Sequence, residues 1–185
     1  MGTSNHLTPG MTIALDGGLY RVETCVKVAV AKGQPFIKVT LKDLRSDELV
    51  ERNFKPTQAV EEVTVSERRL EFLYLEGDHH LFLDLESLDP AAVPADVVAD
   101  KAKFLKEGVE VRAICYGDTI FSVDLPQFLE LMIVKVENPE KQAGVTGTTK
   151  WAALETGARL EVPLFIEAGD IVKVDTGQNE YIQRV

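Results

Sequence analysis

One lysine stands out among the residues that could do chemistry, because it lies between two strand-like runs at the tip of a turn. Residues 26–36 read as a connection between strands, and its tip is Ala31-Lys32-Gly33-Gln34. A lysine followed by glycine at a hairpin tip is projected into solvent, and its ammonium group can enter a crevice lined with phosphates. From the spacing alone, an ordinary exposed lysine in a turn is the favoured interpretation.

The motifs of common catalytic sites are absent from the sequence, which contains no G-x-S-x-G, GxxxxGK[ST], GxGxxG or HExxH. His79 and His80 are adjacent at a predicted turn. Neighbouring strand residues point to opposite faces, so this pair is not expected to chelate one metal ion. Cys25 and Cys115 have no second thiol or histidine at ligand spacing, which predicts free thiols. We therefore expect no catalytic residue, no metal and no cofactor.

Short strands with alternating polarity account for most of the chain and predict an all-β protein. Such runs lie at residues 11–15, 19–22, 36–41, 49–54, 70–75, 80–84, 109–114, 119–123, 130–136, 159–163, 171–174 and 180–183. Glycine-containing turns such as Asp16-Gly17 separate several of these runs in the manner of β-hairpins. Strands of this length and spacing imply small β-barrels. Residues 95–105, with Gly108 after them, are the main helical candidate.

Breaks in the pattern divide the chain into three predicted domains, at residues 1–64, 65–128 and 129–185. The first break begins at Lys55-Pro56-Thr57 and is completed across residues 60–65. Residues 138–150 are polar and have no periodicity, which indicates a loop inside the third domain.

The formal net charge of −10 argues against a nucleic-acid binder of the usual basic kind. The charge is unevenly distributed, however, because residues 21–57 hold eight basic and five acidic residues while residues 65–128 hold six and thirteen. A mildly basic end can approach phosphate while the acidic remainder is tolerated. No apolar run approaches the roughly 20 residues of a membrane span, and the first residues lack a secretory signal, so we expect a cytoplasmic protein without membrane contact.

The sequence resembles bacterial translation elongation factor P over its whole length. Several blocks in the first two predicted domains carry the resemblance, namely Lys32-Gly33 with Phe36, Val50-Glu51-Arg52-Asn53-Phe54-Lys55, Arg68-Arg69-Leu70-Glu71-Phe72-Leu73-Tyr74 and Phe104-Leu105-Lys106-Glu107-Gly108. The most specific blocks are in the third, namely Lys150-Trp151-Ala152, Leu154-Glu155-Thr156-Gly157, Val162-Pro163, Phe165-Ile166, Gly169-Asp170 and Lys173-Val174-Asp175-Thr176.

The resemblance implies an N-terminal KOW/SH3-like barrel followed by two OB-type barrels in an L-shaped, tRNA-like molecule. It also implies a non-enzymatic translation factor that binds the 70S ribosome between the P and E sites, beside P-site peptidyl-tRNA. Such a factor promotes peptide bond formation at polyproline stalls. We also expect a monomer.

The resemblance makes Ala31, Lys32, Gly33 and Gln34 the functional loop. In many family members the loop lysine is modified by a dedicated ligase, so Lys32 is a candidate for covalent modification by a partner enzyme. The candidate RNA-binding residues are Lys27, Lys38, Lys42, Arg52, Tyr181 and Arg184.

Two departures from the family pattern concern these sites. Val30-Ala31 stands where the family often has Pro-Gly, which changes the rigidity of the loop. Gly177 stands where an arginine usually follows Asp-Thr, so one basic contact is missing.

Other functions fit the sequence less well. An OB-fold RNA-binding module or RNA chaperone acting off the ribosome would need aromatics in a positive groove, whereas the middle domain has a net charge of −7. An enzyme built on the carboxylates of that domain would need a desolvating pocket, and the sequence indicates none.

Overall fold

The computed structural model describes residues 2–138 and 147–185, and these residues form three antiparallel, barrel-like sheets. Helical structure in this part of the chain is confined to short segments. The all-β prediction is therefore confirmed. No helix in these two stretches is long and apolar enough to cross a membrane.

The first sheet has six strands in the order β1-β6-β2-β3-β4-β5. They are β1 (Gly2–Thr3), β2 (Thr12–Leu15), β3 (Gly18–Val28), β4 (Phe36–Asp43), β5 (Leu49–Phe54) and β6 (Ala59–Glu62). A short 3-10 helix, Ser4–His6, follows β1. The predicted β2–β3 hairpin is present because Asp16 and Gly17 adopt positive φ values of 50° and 80°, the conformation that a two-residue hairpin turn requires.

Strand β6 lies where the sequence predicted only a break between domains. The break itself is a short turn, in which the amide of Gln58 donates to the carbonyl oxygen of Lys55 at 3.0 Å. Beyond it, β6 pairs with both β1 and β2. Only one of its four residues, Val60, is buried, so its alternation is too short to be recognised from the sequence.

The second sheet has five strands in the order β11-β10-β7-β8-β9. They are β7 (Ser66–Glu76), β8 (His79–Asp84), β9 (Pro90–Pro94), β10 (Glu110–Tyr116) and β11 (Thr119–Asp124). Strand β9 begins and ends with proline and was not predicted. It forms an edge of the sheet, where a missing amide donor is tolerated.

The predicted helix at residues 95–105 is present in its position but is not continuous. Helix α1 spans Ala95–Val98 and is followed by a 3-10 helix at Ala99–Phe104. Ala99 has a φ of 50°, a left-handed conformation that ends the α-helical turn. The tighter 3-10 turn brings Phe104 into the core of the third sheet, where it is 1% exposed.

The third sheet has five strands in the order β14-β13-β12-β15-β16. They are β12 (Phe128–Val136), β13 (Thr149–Leu154), β14 (Arg159–Pro163), β15 (Ile171–Asp175) and β16 (Glu180–Arg184). Strand β13 was not predicted, and its first two residues belong to the run interpreted as a loop. Residues 139–146 of that run lie outside the described part of the chain.

The chain divides into two compact units. One consists of residues 1–67 and 114–122, and the other of residues 68–113 and 123–185. In the first unit, Ile114 packs with Leu19, Leu44 and Val63, and Phe121 lies against this cluster. The division into three domains stays a prediction.

Candidate functional site

The loop that carries Lys32 is held at the end of a long hairpin. Strands β3 and β4 pair as far as Val28 opposite Phe36, and the seven residues between them are exposed. Within residues 2–138 and 147–185, the ammonium group of Lys32 makes no hydrogen bond or ion pair. The structure thus places an exposed cation, without a partner in these residues, at the tip of a paired hairpin.

The shape of the tip depends on Gly33. This residue has a φ of +138°, which residues with a side chain rarely adopt. A Cβ atom at this position would lie 4.0 Å from Cγ1 of Val30, so the space exists but the backbone conformation is strained for a residue with a side chain. Gly33 therefore turns the chain directly after Lys32. Ala31 and Gln34, the other loop candidates, are exposed beside it.

One face of the hairpin carries a group of apolar side chains near the tip, a feature that the sequence interpretation missed. Val26 is 55% exposed and Val30 is 45% exposed. The register places Val26 opposite Lys38, and Val28 opposite Phe36, on the same outer face. This group could have been predicted from the sequence, because every second residue from 26 to 30 is valine and alternate strand residues share a face.

The four basic candidates of the first barrel do not form one patch. Lys38 and Lys42 lie on the outer face, where Lys38 pairs with Glu51 at 3.2 Å and Lys42 with Asp47 at 3.1 Å. Strand pairing places Lys27 beside Ile37 and Arg52 beside Val39, on the opposite face of the same sheet. Neither Lys27 nor Arg52 forms an ion pair with the residues the structure describes.

Arg45 is another cation of the first barrel, and its side chain has a structural role. Its guanidinium carbon lies 4.4 Å from the centroid of the Phe121 ring. Its Nη2 donates to the carbonyl oxygen of Phe121 at 3.4 Å. Both contacts lie within the first compact unit, and they engage the guanidinium group of Arg45.

The two C-terminal candidates belong to the other compact unit. Tyr181 is partly buried against the core of the third sheet. Arg184 lies 3.9 Å from the Asp170 carboxylate, and its guanidinium carbon is 5.7 Å from the centroid of the Phe165 ring. Arg184 therefore already has an acidic and an aromatic partner.

The departure at Gly177 lies in a turn organised by Asp175. The buried Oδ1 atom of Asp175 accepts hydrogen bonds from the amides of Gly177 and Gln178, both at 2.9 Å. The bond from Gln178 is the main cause that lowers the pKa of Asp175. These residues build the turn between β15 and β16.

The adjacent histidines separate as strand alternation predicts. His79 is exposed, and its Nδ1 lies 2.8 Å from Oδ1 of Asp78, a contact that lowers the pKa of the Asp78 carboxyl. His80 is only 7% exposed and packs against the Phe72 ring, with ring centroids 5.9 Å apart. Desolvation lowers the pKa of His80. Across the described ranges, no group of three or more His, Cys, Asp or Glu residues is arranged to hold a metal ion.

Comparison with known proteins covers almost the whole chain. Three family models match, the KOW-like domain of elongation factor P at residues 3–60, its OB domain at residues 65–123, and its C-terminal domain at residues 129–184. The chain is 58% identical to elongation factor P 1 of Protochlamydia amoebophila and 47% identical to elongation factor P 1 of Chlamydia pneumoniae. Each comparison spans 185 residues and all of both chains.

A solved structure of eukaryotic translation initiation factor 5A from Methanococcus jannaschii matches 68% of this chain and 92% of its own, with a TM-score of 0.43 and 20% identity. The family models and the full-length relatives agree with each other. The chain therefore belongs to the elongation factor P family of translation elongation factors.

Proposed function

We propose that the chain binds the 70S ribosome between the P and E sites and promotes peptide bond formation at polyproline stalls. The observation that carries the proposal is the Lys32 loop, whose ammonium group is exposed, without a partner among described residues, and supported by the β3–β4 ladder. Family membership supplies the translational context. The proposed partners are the ribosome and P-site peptidyl-tRNA.

The proposed mechanism is positioning. Proline is a constrained and poor reactant in peptide bond formation, so its reaction gains from any contact that restricts peptidyl-tRNA to a reactive geometry. Lys32 would hold RNA phosphates or ribose hydroxyls near the reacting ends and would form no covalent intermediate. The chain would therefore be a non-enzymatic factor that needs no metal or cofactor.

Covalent modification of Lys32 is part of the proposal. An amine that is exposed and unpaired is accessible to a modifying enzyme, and an extension would lengthen the reach of the loop. Val30 and Ala31 would form the surface that such an enzyme meets. Intact-mass analysis of the chain from its native host is expected to show added mass at Lys32, and the unmodified mass would contradict this part.

The basic candidates of the first barrel are proposed to contact ribosomal RNA phosphates. Lys27 and Arg52 can do so directly, since neither is paired within the described residues. Lys38 and Lys42 would exchange their carboxylate partners for phosphates, at small cost because exposed ion pairs contribute about 1 kcal/mol or less. Tyr181 and Arg184 would serve a separate contact made by the C-terminal barrel.

The proposed organisation is that of a cytoplasmic monomer with domains at residues 1–64, 65–128 and 129–185. The family matches at residues 3–60, 65–123 and 129–184 support these bounds.

The function is tested by adding the purified chain to a reconstituted translation system that lacks any such factor. We expect it to raise the yield of a polyproline-containing reporter and to leave a proline-free reporter unchanged. Co-sedimentation with 70S ribosomes distinguishes this function from off-ribosome RNA binding. Equal yields of the polyproline reporter with and without the chain would contradict the proposal.

A further inference from the structure

A groove of about 450 Å³ lies on the C-terminal barrel beside the turn between β15 and β16. Strands β14 and β16 are the two ends of the sheet order, and they approach each other here. The side-chain amide of Asn179 reaches from the turn to the carbonyl oxygen of Arg159, at 3.4 Å. Trp151 and Tyr181 line the groove, and both are partly exposed.

The ring of Trp151 already accepts a guanidinium group from its own chain. The guanidinium carbon of Arg159 lies 5.6 Å from the ring centroid. Arg159 also pairs with Glu137, so its positive charge is balanced within the fold. The contact shows that the tryptophan is placed for cation–π interaction, and Tyr181 adds a second aromatic group to the same groove.

The charges that line the groove are all negative. Glu161 is the register partner of Trp151, and Glu180 is adjacent to Tyr181 in sequence. Both residues line the groove and are exposed. Neither forms an ion pair within residues 2–138 and 147–185, and no lysine or arginine lines the groove there. A phosphate would therefore be repelled, whereas a cation would gain two partners.

The charged groups of the groove favour a ligand that donates hydrogen bonds, although Thr149 and Gln178 also line it and can donate or accept. The two carboxylates accept hydrogen bonds. Asn179 also lines the groove, and its Oδ1 atom is buried without a hydrogen-bond partner among the described atoms. Guanidinium offers five donors and no acceptor, and its planar face stacks on aromatic rings, which a lysine ammonium cannot do.

We propose that this groove is a docking site for an arginine side chain in a basic protein segment. The arginine would lie against the aromatic groups, with Glu161 and Glu180 as its carboxylate partners. Tyr181 would then belong to a protein contact instead of an RNA contact. The proposal goes beyond the proposed function and can be tested on the isolated chain, so it can fail while polyproline activity stands.

Trp151 is the single tryptophan of the sequence, so its fluorescence reports on the groove directly. The probe is a hexa-arginine peptide with blocked ends, titrated at several salt concentrations against the full chain. Hexalysine and a ten-nucleotide oligouridine are titrated in parallel. We expect a saturable fluorescence change with hexa-arginine, weaker binding of hexalysine, and no saturable change with oligouridine.

A matched pair of double variants separates the groove from the general acidity of the chain. Glu161→Gln/Glu180→Gln should raise the dissociation constant for hexa-arginine about fivefold, the effect expected from two exposed ion pairs. Glu62→Gln/Glu86→Gln has the same net charge and should leave the constant within about twofold. All four are exposed surface residues, and such substitutions leave stability within about 0.5 kcal/mol.

Three results would overturn the proposal. The first is the absence of a saturable change with hexa-arginine. The second is an equal loss of affinity in the two double variants, which would indicate nonspecific attraction to an acidic protein. The third is tighter binding of oligouridine than of hexa-arginine, which would make the groove an RNA contact.

Discussion

Gly33 determines where Lys32 is presented, because its φ of +138° fixes the turn that follows the lysine. Gly33→Ala should displace the tip, since a residue with a Cβ atom is strained in this conformation by about 1–3 kcal/mol. The exposed loop can relax to relieve that strain, so the free energy of unfolding should change little. We expect lower polyproline activity, measured in reconstituted translation, with an unchanged urea midpoint.

Gly10→Ala is the matched control for Gly33→Ala, because Gly10 also has a positive φ, of 94°. Unlike the exposed loop, Gly10 is held in place, since its amide donates to the carbonyl oxygen of Val22. That substitution should lower the urea midpoint and leave activity unchanged. Full polyproline activity of Gly33→Ala would show that the conformation of the tip is unimportant.

His80 should make the middle barrel sensitive to mild acid. Burial lowers its folded-state pKa below the value of about 6.5 in the unfolded chain, so the unfolded state binds a proton first as the pH falls. The contribution of the neutral His80 imidazole to the free energy of unfolding is therefore fully present above about pH 7.5. It is lost as the pH decreases through 6.5 towards the folded-state pKa.

The measurement is the urea midpoint between pH 8 and pH 5, a range above the ordinary pKa values of the carboxyl groups. The midpoint of the wild type should fall over this range, and that of His80→Phe should fall less. Parallel curves for the two proteins would exclude His80 as the source of the pH dependence.

At the scale of elements, one turn is built three times in the chain, at Asp43, at Asp84 and, as described above, at Asp175. Asp43 accepts hydrogen bonds from the amides of Arg45 and Ser46, and Asp84 accepts them in the same way from Glu86 and Ser87. The next residue after each turn is not glycine but has a positive φ, 62° at Asp47, 62° at Leu88 and 57° at Asn179. Aspartate tolerates this conformation better than leucine, which has no polar group to bond locally.

Leu88→Gly should therefore stabilise the chain. Its side chain is 68% exposed, so little burial is lost, and relief of the left-handed conformation is worth about 1 kcal/mol. Urea unfolding should show a higher midpoint. Leu75→Gly, at an exposed position in strand β7, is the control and should show a lower midpoint. A lower midpoint for Leu88→Gly as well would contradict the argument.

The hairpins were predictable because their turn residues are local signals. Asp16-Gly17 marks the β2–β3 turn by the conformation it must adopt. Strands β6, β9 and β13 were not predicted because pairing with other strands forms them. The alternation in β6 is too short to recognise, and β9 begins and ends with proline. Helix α1 was expected to continue, but the sequence contains no signal that Ala99 would adopt a positive φ.

The candidate site was predictable in part for the same reason. Local spacing predicted that Lys32 and Gly33 lie in an exposed turn, and the structure places them at the hairpin tip. Their functional role was inferred from the family resemblance. The grouping of the basic residues depends on strand register, which spacing along the chain does not reveal. Lys27 and Arg52 therefore lie on one face of the sheet, and Lys38 and Lys42 on the other.

At the scale of the whole molecule, the proposed binding to the RNA-rich ribosome must be reconciled with a net charge of −10. The basic residues of the first barrel would then provide the phosphate contacts. Lys27→Glu/Arg52→Glu should weaken 70S binding strongly and reduce its dependence on salt, because both cations lack partners in the described structure. Lys38→Glu/Lys42→Glu should weaken it less, since Glu51 and Asp47 already balance these lysines.

The measurement is co-sedimentation with 70S ribosomes over a salt series. The two double variants change the net charge equally, so a difference between them reports on position. If both variants kept the affinity and the salt dependence of the wild type, these basic residues would not belong to the ribosome-binding surface.

The central claim is that Lys32 acts at the peptidyl-transferase region, and one variant tests it most directly. Lys32→Ala removes an exposed ammonium group and should leave stability within about 0.5 kcal/mol. In reconstituted translation, we expect the variant to lose the stimulation of a polyproline reporter and to leave a proline-free reporter unaffected. Lys55→Ala removes an exposed lysine from a turn elsewhere in the same barrel and should retain full stimulation. Wild-type stimulation by Lys32→Ala would contradict the account, even if the variant still bound ribosomes.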